Sequence, residues 1–178
     1  AYEIASWLVG SEMCIRDSIL TTRFGQIGVD AGERGITRCV LPHEPLVLRE
    51  GDTVSAAQDA LLTQAEQELN EYVAGERRVF TVPLEWNEGA DGFAGQAQRA
   101  LLDIPYGVTE TYGQLAARLG HAGAARAVGT ACARNPLPLF VPCHRVVRAG
   151  GSIGRYAGGE SMKRELLDLE AAVIASNT

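Results

Sequence analysis

The sequence predicts an α/β protein in two parts, a small strand-rich N-terminal unit carrying one amphipathic helix and a mainly helical C-terminal unit with a helix-turn-helix. Three observations predict it. β-branched residues and turn glycines crowd the stretch from Ile19 to Leu41. Two capping-box patterns, Ser55-x-x-Gln58 and Thr111-x-x-Gln114, each open a run of apolar residues at helical spacing. Two short helical patterns then follow one another across Gly120, the arrangement of a helix-turn-helix or of a plain packing pair.

Taken in order, residues 1 to 18 fit nothing around them. Gly10 to Ser18 resembles translated sequencing-adapter read-through, and the segment is set aside. Ile19 to Val29 and Gly35 to Leu41 read as a short antiparallel pair joined near Gly32. Ser55 opens a helix whose apolar side is Leu61, Ala65, Leu69 and Tyr72, and Gly75 closes it. Phe93, Ala97, Ala100 and Leu101 mark a second helix. It stops before Ile104-Pro105-Tyr106-Gly107, because the residue ahead of a proline is pushed out of the helical region. Thr111 opens a short helix with Leu115, Ala116 and Leu119 inward, and a further helix from about Gly123 to Arg134 ends at Asn135-Pro136. The predicted boundaries are 19–90 for the first unit and 91–174 for the second.

Composition bounds the function. A chain of 178 residues with 46% hydrophobic and 21% charged content buries a core in one or two small domains. No apolar run approaches the roughly 20 residues that span a bilayer, and no secretory leader pattern stands near the start, so a cytoplasmic setting without membrane contact is expected. Cys14, Cys39, Cys132 and Cys143 lack framework spacing, which suits a reducing compartment. The net charge of -6 is uneven: seven Arg face sixteen acids through residue 98, whereas nine Arg and Lys face six acids from residue 99. The basic second unit permits a nucleic-acid partner.

Pro142-Cys143-His144-Arg145-Val146 is the segment richest in chemistry. A free thiol ionises near pH ~8.5, and neighbouring imidazole or guanidinium groups can pull that to about 3.5 to 7.5. The alternative is a buried, inert cysteine in a strand. The helix upstream is unusual in another way: Ala124, Ala125, Ala127, Gly129, Thr130, Ala131 and Ala133 leave little bulk, and Arg126 stands in the first turn, where a cation opposes the helix dipole. Such a helix can approach a partner closely, with Arg126 reaching toward phosphate or into a base stack. Tight packing against another helix would use the same small residues.

Together, Ile104-Pro105-Tyr106-Gly107, Thr111-Tyr112-Gly113, Ala125-Arg126-Ala127-Val128-Gly129, Asn135-Pro136, the Cys143 pentapeptide, Tyr156-Ala157-Gly158-Gly159 and Lys163 to Glu170 resemble the O6-alkylguanine-DNA alkyltransferase family. The resemblance implies a ribonuclease-H-like first domain and a winged helix-turn-helix second domain. It also implies double-stranded DNA containing O6-alkylguanine as partner, bound through the minor groove by a monomer, with no cofactor. Cys143 is then the alkyl acceptor, in one irreversible turnover, and O4-alkylthymine is a second substrate. His144 passes the thiol proton through a water to Glu170, Asn135 orders the turn, and Tyr112 and Lys163 supply protons or charge to the leaving base. Arg126 fills the gap left by the flipped base. Ala125, Gly129 and Arg145 belong to the same DNA-binding set. Val146, Tyr156 and Ala157 border the guanine, and Gly158 and Gly159 let the loop close over it. The chemistry agrees with the residue types: displacement at a saturated carbon wants a soft nucleophile, which thiolate supplies and hydroxyl does not.

Two positions depart from the family pattern. Gln98 stands where relatives carry an aromatic residue, and Arg155 where they carry a small or neutral one, which bears on the packing of the Phe93 helix and on the pocket mouth. Cys39-x-x-x-His43, with Cys14 and His121, lacks the spacing of a zinc site, and no metal is expected. A cysteine hydrolase is disfavoured, because adjacent residues of a strand point to opposite faces and would part Cys143 from His144. A purely DNA-binding regulator would have no need of the thiol.

Overall fold

A computed structural model describes residues 17–42, 44, 54–86 and 92–176. The first unit opens on three antiparallel strands in the order β1-β2-β3, namely β1 (Asp17–Thr22), β2 (Gly25–Ala31) and β3 (Ile36–Val40). The predicted stretch from Ile19 to Val29 is therefore two strands rather than one. Gly25, at φ +115°, makes the tight return possible, and the Thr22 hydroxyl donates to its carbonyl at 2.9 Å. Asp17 and Ser18, set aside with the first segment, pair with Asp30 and Val29. In β2 the side chains of Ile27, Val29 and Ala31 alternate inward with period two.

Helix α1 (Ala56–Val73) forms where its capping box predicts. The Ser55 hydroxyl accepts from Gln58 N at 3.2 Å, and the Gln58 side chain accepts from Ser55 N at 3.0 Å. Its buried face, Leu62, Ala65, Leu69 and Tyr72, packs over β1 and β2, and Gly75 at φ +80° ends it. Glu68 on the same helix gathers the following segment: its carboxylate accepts from the amides of Thr81 and Val82 at 2.8 and 3.1 Å and from the Thr81 hydroxyl. That segment then lies along β3, with Ile36 N donating to Pro83 O and Glu85 N to Ile36 O.

The second unit is mainly helical: α2 (Phe93–Leu101), β4 (Glu110–Thr111), α3 (Tyr112–Arg118), α4 (Ala125–Ala133), a 3-10 turn over Cys143–Arg145, β5 (Val146–Val147) and α5 (Gly159–Ala175). Helix α4 packs against both α2 and α3. The parallel pair of β4 with β5 sets Glu110 beside Val146 and Thr111 beside Val147, which brings the start of α3 against the residues that follow the Cys143 turn. One apolar core runs through both units, from Leu69 and Tyr72 to Leu101, Leu137, Val141 and Leu166. No helix among the described residues is long and apolar enough to cross a membrane.

Candidate active site

Cys143 lies in the 3-10 turn, not in a strand. With about three residues per turn, successive side chains leave such a turn in three directions. Cys143, His144 and Arg145 thus face different surroundings, and all three are buried. The turn is steadied from upstream by Asn135, whose side-chain nitrogen donates to Val141 O at 2.9 Å while its oxygen accepts from Leu137 N at 3.1 Å. Cys143 N in turn donates to Val141 O at 2.8 Å. Leu139, held at φ 74°, is the one non-glycine residue with positive φ among those described, and it lies inside this tied loop.

His144 is fully buried, and its Nε2 lies 2.9 Å from Glu170 Oε1. The Glu170 carboxylate, brought in by α5, is the centre of a dense set of bonds. Arg145 donates to it from Nε at 3.2 and 3.0 Å and from Nη2 at 2.9 Å, Gly107 N donates to Oε2 at 2.9 Å, and the Tyr72 hydroxyl donates to Oε1 at 2.6 Å. Arg145 Nη1 also donates to Ile104 O at 2.7 Å. His144 Nδ1 and the hydroxyls of Tyr106 and Tyr156 are buried without a hydrogen-bond partner among the described residues.

Burial pushes the Glu170 carboxyl up, but hydrogen bonding and charge from His144 and then Arg145 outweigh it and pull it down to about 2. His144 is lowered by burial against the opposing pull of Glu170. Burial also raises the Cys143 thiol, opposed by hydrogen bonding from Asn135, by the charge of Lys163 and by its own backbone N–H. The lowering expected from its imidazole and guanidinium neighbours is thereby corrected. Arg145 has turned to Glu170, and the imidazole is fastened to the same carboxylate. The thiol at rest keeps its proton. Burial also raises Cys39, and raises Cys132 to about 12, so both keep their protons.

Lys163 is fully buried, lowered by that burial, and donates to Val146 O at 2.6 Å; its Nζ lies 5.9 Å from the centre of the Tyr112 ring. Tyr112 starts α3 and packs near α4, where a side chain at Gly129 would meet its ring at 3.9 Å. On α4 itself Arg126, Ala127 and Thr130 are exposed, and no side chain caps the helix N-terminus. Two surface hollows, of about 500 and 240 Å³, are lined by Asp103, Glu110 and Arg118 and by Phe80, Leu102 and Arg145 among others. Neither includes Cys143.

Residues 15–86 match the family described as 6-O-methylguanine DNA methyltransferase, ribonuclease-like domain, and residues 92–172 match 6-O-methylguanine DNA methyltransferase, DNA binding domain. The constitutive methylated-DNA--protein-cysteine methyltransferase of Bacillus subtilis is 38% identical over 152 residues, covering 84% of this chain and 91% of that protein. The chain belongs to the 6-O-methylguanine DNA methyltransferase family. A relative of the same name from Mycobacterium tuberculosis is 49% identical over 106 residues, covering 60% of this chain. The match spans 63% of that relative's length, a little under two thirds. The crystal structure of Mycobacterium tuberculosis OGT in complex with DNA superposes with a TM-score of 0.76 at 34% identity, covering 87% of this chain and 92% of that one.

In this member of the methyltransferase family, Cys143, His144, Glu170, Asn135 and Lys163 stand around one turn. Tyr112 borders them across Lys163, and Val146 and the Tyr156 ring lie beside them, the latter 6.3 Å from the His144 ring. Ala157 is exposed and Gly158 buried at the start of α5. Ala125, Arg126 and Gly129 form a separate group on α4. Arg145 does not join that group: expected among the DNA-binding residues, it is 7% exposed and bound to Glu170. The sequence reading missed Tyr72 and Gly107. For Tyr72 the signal was present, since a tyrosine within a Leu and Ala core stripe must find a partner for its buried hydroxyl. Of the disfavoured zinc set, Cys14 and His43 lie outside the described residues; among those described, no cluster of three metal-binding side chains occurs.

Proposed function

We propose that this chain repairs alkylated DNA by taking the alkyl group of O6-alkylguanine, and of O4-alkylthymine, onto Cys143 in one irreversible turnover. The observation that carries the reading is the state of His144: with Nε2 fastened to Glu170, Nδ1 is the free basic nitrogen of a ring next to the nucleophile. His144 meets Glu170 directly at 2.9 Å, so the water expected between them belongs instead on the thiol side: the thiol proton passes through it to Nδ1, and Sγ bonds the alkyl carbon as the carbon–oxygen bond breaks. The electron pair stays on the guanine O6, and the ring takes up a proton and remains in the DNA strand as the unmodified base. Lys163 and Tyr112 supply charge or a proton to it, and Asn135 holds the turn that aims the sulfur. The product is a thioether with no centre that water can attack, so each molecule acts once.

Double-stranded DNA is the partner, met in the minor groove by the exposed small-residue face of α4. Ala125, Ala127 and Gly129 allow close approach, Arg126 enters the stack in place of the extruded base, and the uncapped helix N-terminus offers its amides to phosphate. Backbone groups of Cys143, Val146 and Ala157 border the flipped base, with Tyr156 beside it and Gly158 at the hinge of the loop. Cys143 is only 6% exposed, so base insertion requires that loop to shift. The protein works as a monomer in the cytoplasm, a setting that suits the free thiols of Cys39, Cys132 and Cys143 among the described residues. Its two domains run over 19–90 and 91–174, and no cofactor takes part.

Intact mass after incubation with duplex DNA carrying O6-methylguanine tests the reading. One added methylene on the Cys143 peptide, absent in Cys143→Ala, is expected, with DNA binding retained by the variant. Equal transfer by Cys143→Ala sends the assignment elsewhere.

A further inference from the structure

Tyr72 reaches the reaction centre from the other half of the molecule. It lies on α1, is fully buried, and its hydroxyl donates to Glu170 Oε1 at 2.6 Å across 98 residues of sequence. The same hydroxyl oxygen stands 3.2 Å from His144 Nε2. A phenol has one proton, and here it is directed to the carboxylate, so the oxygen presents only lone pairs to the imidazole. His144 Nε2 then faces two acceptors, Tyr72 Oη and Glu170 Oε1. It must carry a hydrogen, and in the neutral ring Nδ1 then has none.

Oε1 is also crowded. It accepts from Tyr72, from His144 and from Arg145 Nη2, with distances between 2.6 and 2.9 Å. Each added donor draws electron density from the oxygen and weakens its hold on an imidazolium proton. The groups that face His144 are Glu170 and Lys163 from α5, Tyr72 from α1, Arg145 from its own turn and Tyr156 from the loop before α5. Among them Tyr72 alone touches both members of the imidazole–carboxylate pair without bearing charge.

We infer that Tyr72 is a positioning residue for alkyl transfer, fixing His144 as the tautomer with a free Nδ1 and restraining the pull of Glu170, so that the imidazole is neutral and ready when substrate arrives. The inference rests on the reading of His144 as the thiol's base. It gives the first unit a direct part in the chemistry of the second.

Tyr72→Phe removes the hydroxyl and keeps the ring that packs on Phe80, Tyr106 and His144. Without that donor Glu170 becomes more basic and His144 holds a proton to higher pH. Single-turnover transfer from O6-methylguanine duplex, followed against pH, is expected to fall roughly three- to tenfold near neutrality, a part of the ~10²–10⁴ that acid–base catalysis supplies. The acid limb moves to higher pH, the rate recovers as pH rises, and DNA affinity is unchanged. Nitrogen-15 spectra of the imidazoles, only three in this chain, should show His144 as the Nε2–H tautomer in the wild type and titrating at higher pH in the variant. An unmoved acid limb with wild-type transfer intact overturns the inference alone, as does a uniform loss at every pH with a lowered melting temperature. A wild-type protein that gains no alkyl mass overturns the base reading and this inference together. Should the variant fail to fold, the wild-type spectrum decides, and an Nδ1–H tautomer ends the proposal.

Discussion

Arg145 illustrates how much a single residue's surroundings change its meaning. By composition it is one more cation in a basic unit, yet its guanidinium is buried over the Tyr106 ring, 5.5 Å from the centre, and holds Glu170 and the Ile104 carbonyl. Truncating it leaves a buried carboxylate without its charge partner, which costs about 3–5 kcal/mol. Arg145→Ala should therefore lower the denaturant midpoint sharply, and Arg145→Lys should recover only part of the loss, since an ammonium cannot span both partners. A variant with unchanged stability and weakened DNA binding would restore the surface role expected from the sequence. The family resemblance carried by the pentapeptide and the final helix made Cys143, His144 and Glu170 legible as a group in the sequence. The direction of Arg145 and the partner of Tyr72 were not legible, for distinct reasons. The direction of Arg145 follows from a 3-10 turn that no local pattern announces, and the partner of Tyr72 lies in a distant part of the chain.

At the scale of elements, the helices were the readable part, because a capping box and a 3.6-residue stripe are local signals. α1 and α3 start where Ser55 and Thr111 predict. The strands were read less well: two were merged, since the turn between β1 and β2 rests on the positive φ of a single glycine. Gln98, a departure from the family pattern that put the packing of α2 in question, is explained by its neighbour. Its amide is buried and donates to Ala131 O at 3.0 Å, satisfying one of the last carbonyls of α4, which lack partners within the helix. Gln98→Leu keeps the bulk and strands that carbonyl, a loss of about 1–3 kcal/mol in chemical denaturation. The variant should also protect the α4 amides less well from hydrogen exchange. Full protection at unchanged stability would show that apolar packing alone holds the two helices.

For the whole molecule, the buried ionic centre sets the response to acid. Glu170 is held at about 2 in the fold against an ordinary value of 4.5, so as pH falls below 4.5 the unfolded chain takes up its proton first. The stabilisation, on the order of 3 kcal/mol, is present above that value and lost on the way down to the folded one. His144, lowered from 6.5 by burial, acts in the same sense at higher pH, because the unfolded imidazole is protonated first. Melting temperature is expected to be highest near neutrality, to decline below about pH 6.5 and to drop more steeply below about 4.5. A melting temperature that rises on acidification would contradict the buried pair. One further link joins the halves: Cys39 N in β3 donates to Pro136 O at 2.8 Å, next to Asn135, which ties the turn that carries Cys143. Any swelling at the sulfur presses on that turn and so on the edge strand beyond it. Under the proposed transfer, an alkylated copy is expected to differ from an unreacted one at this seam between the halves as well as at the sulfur.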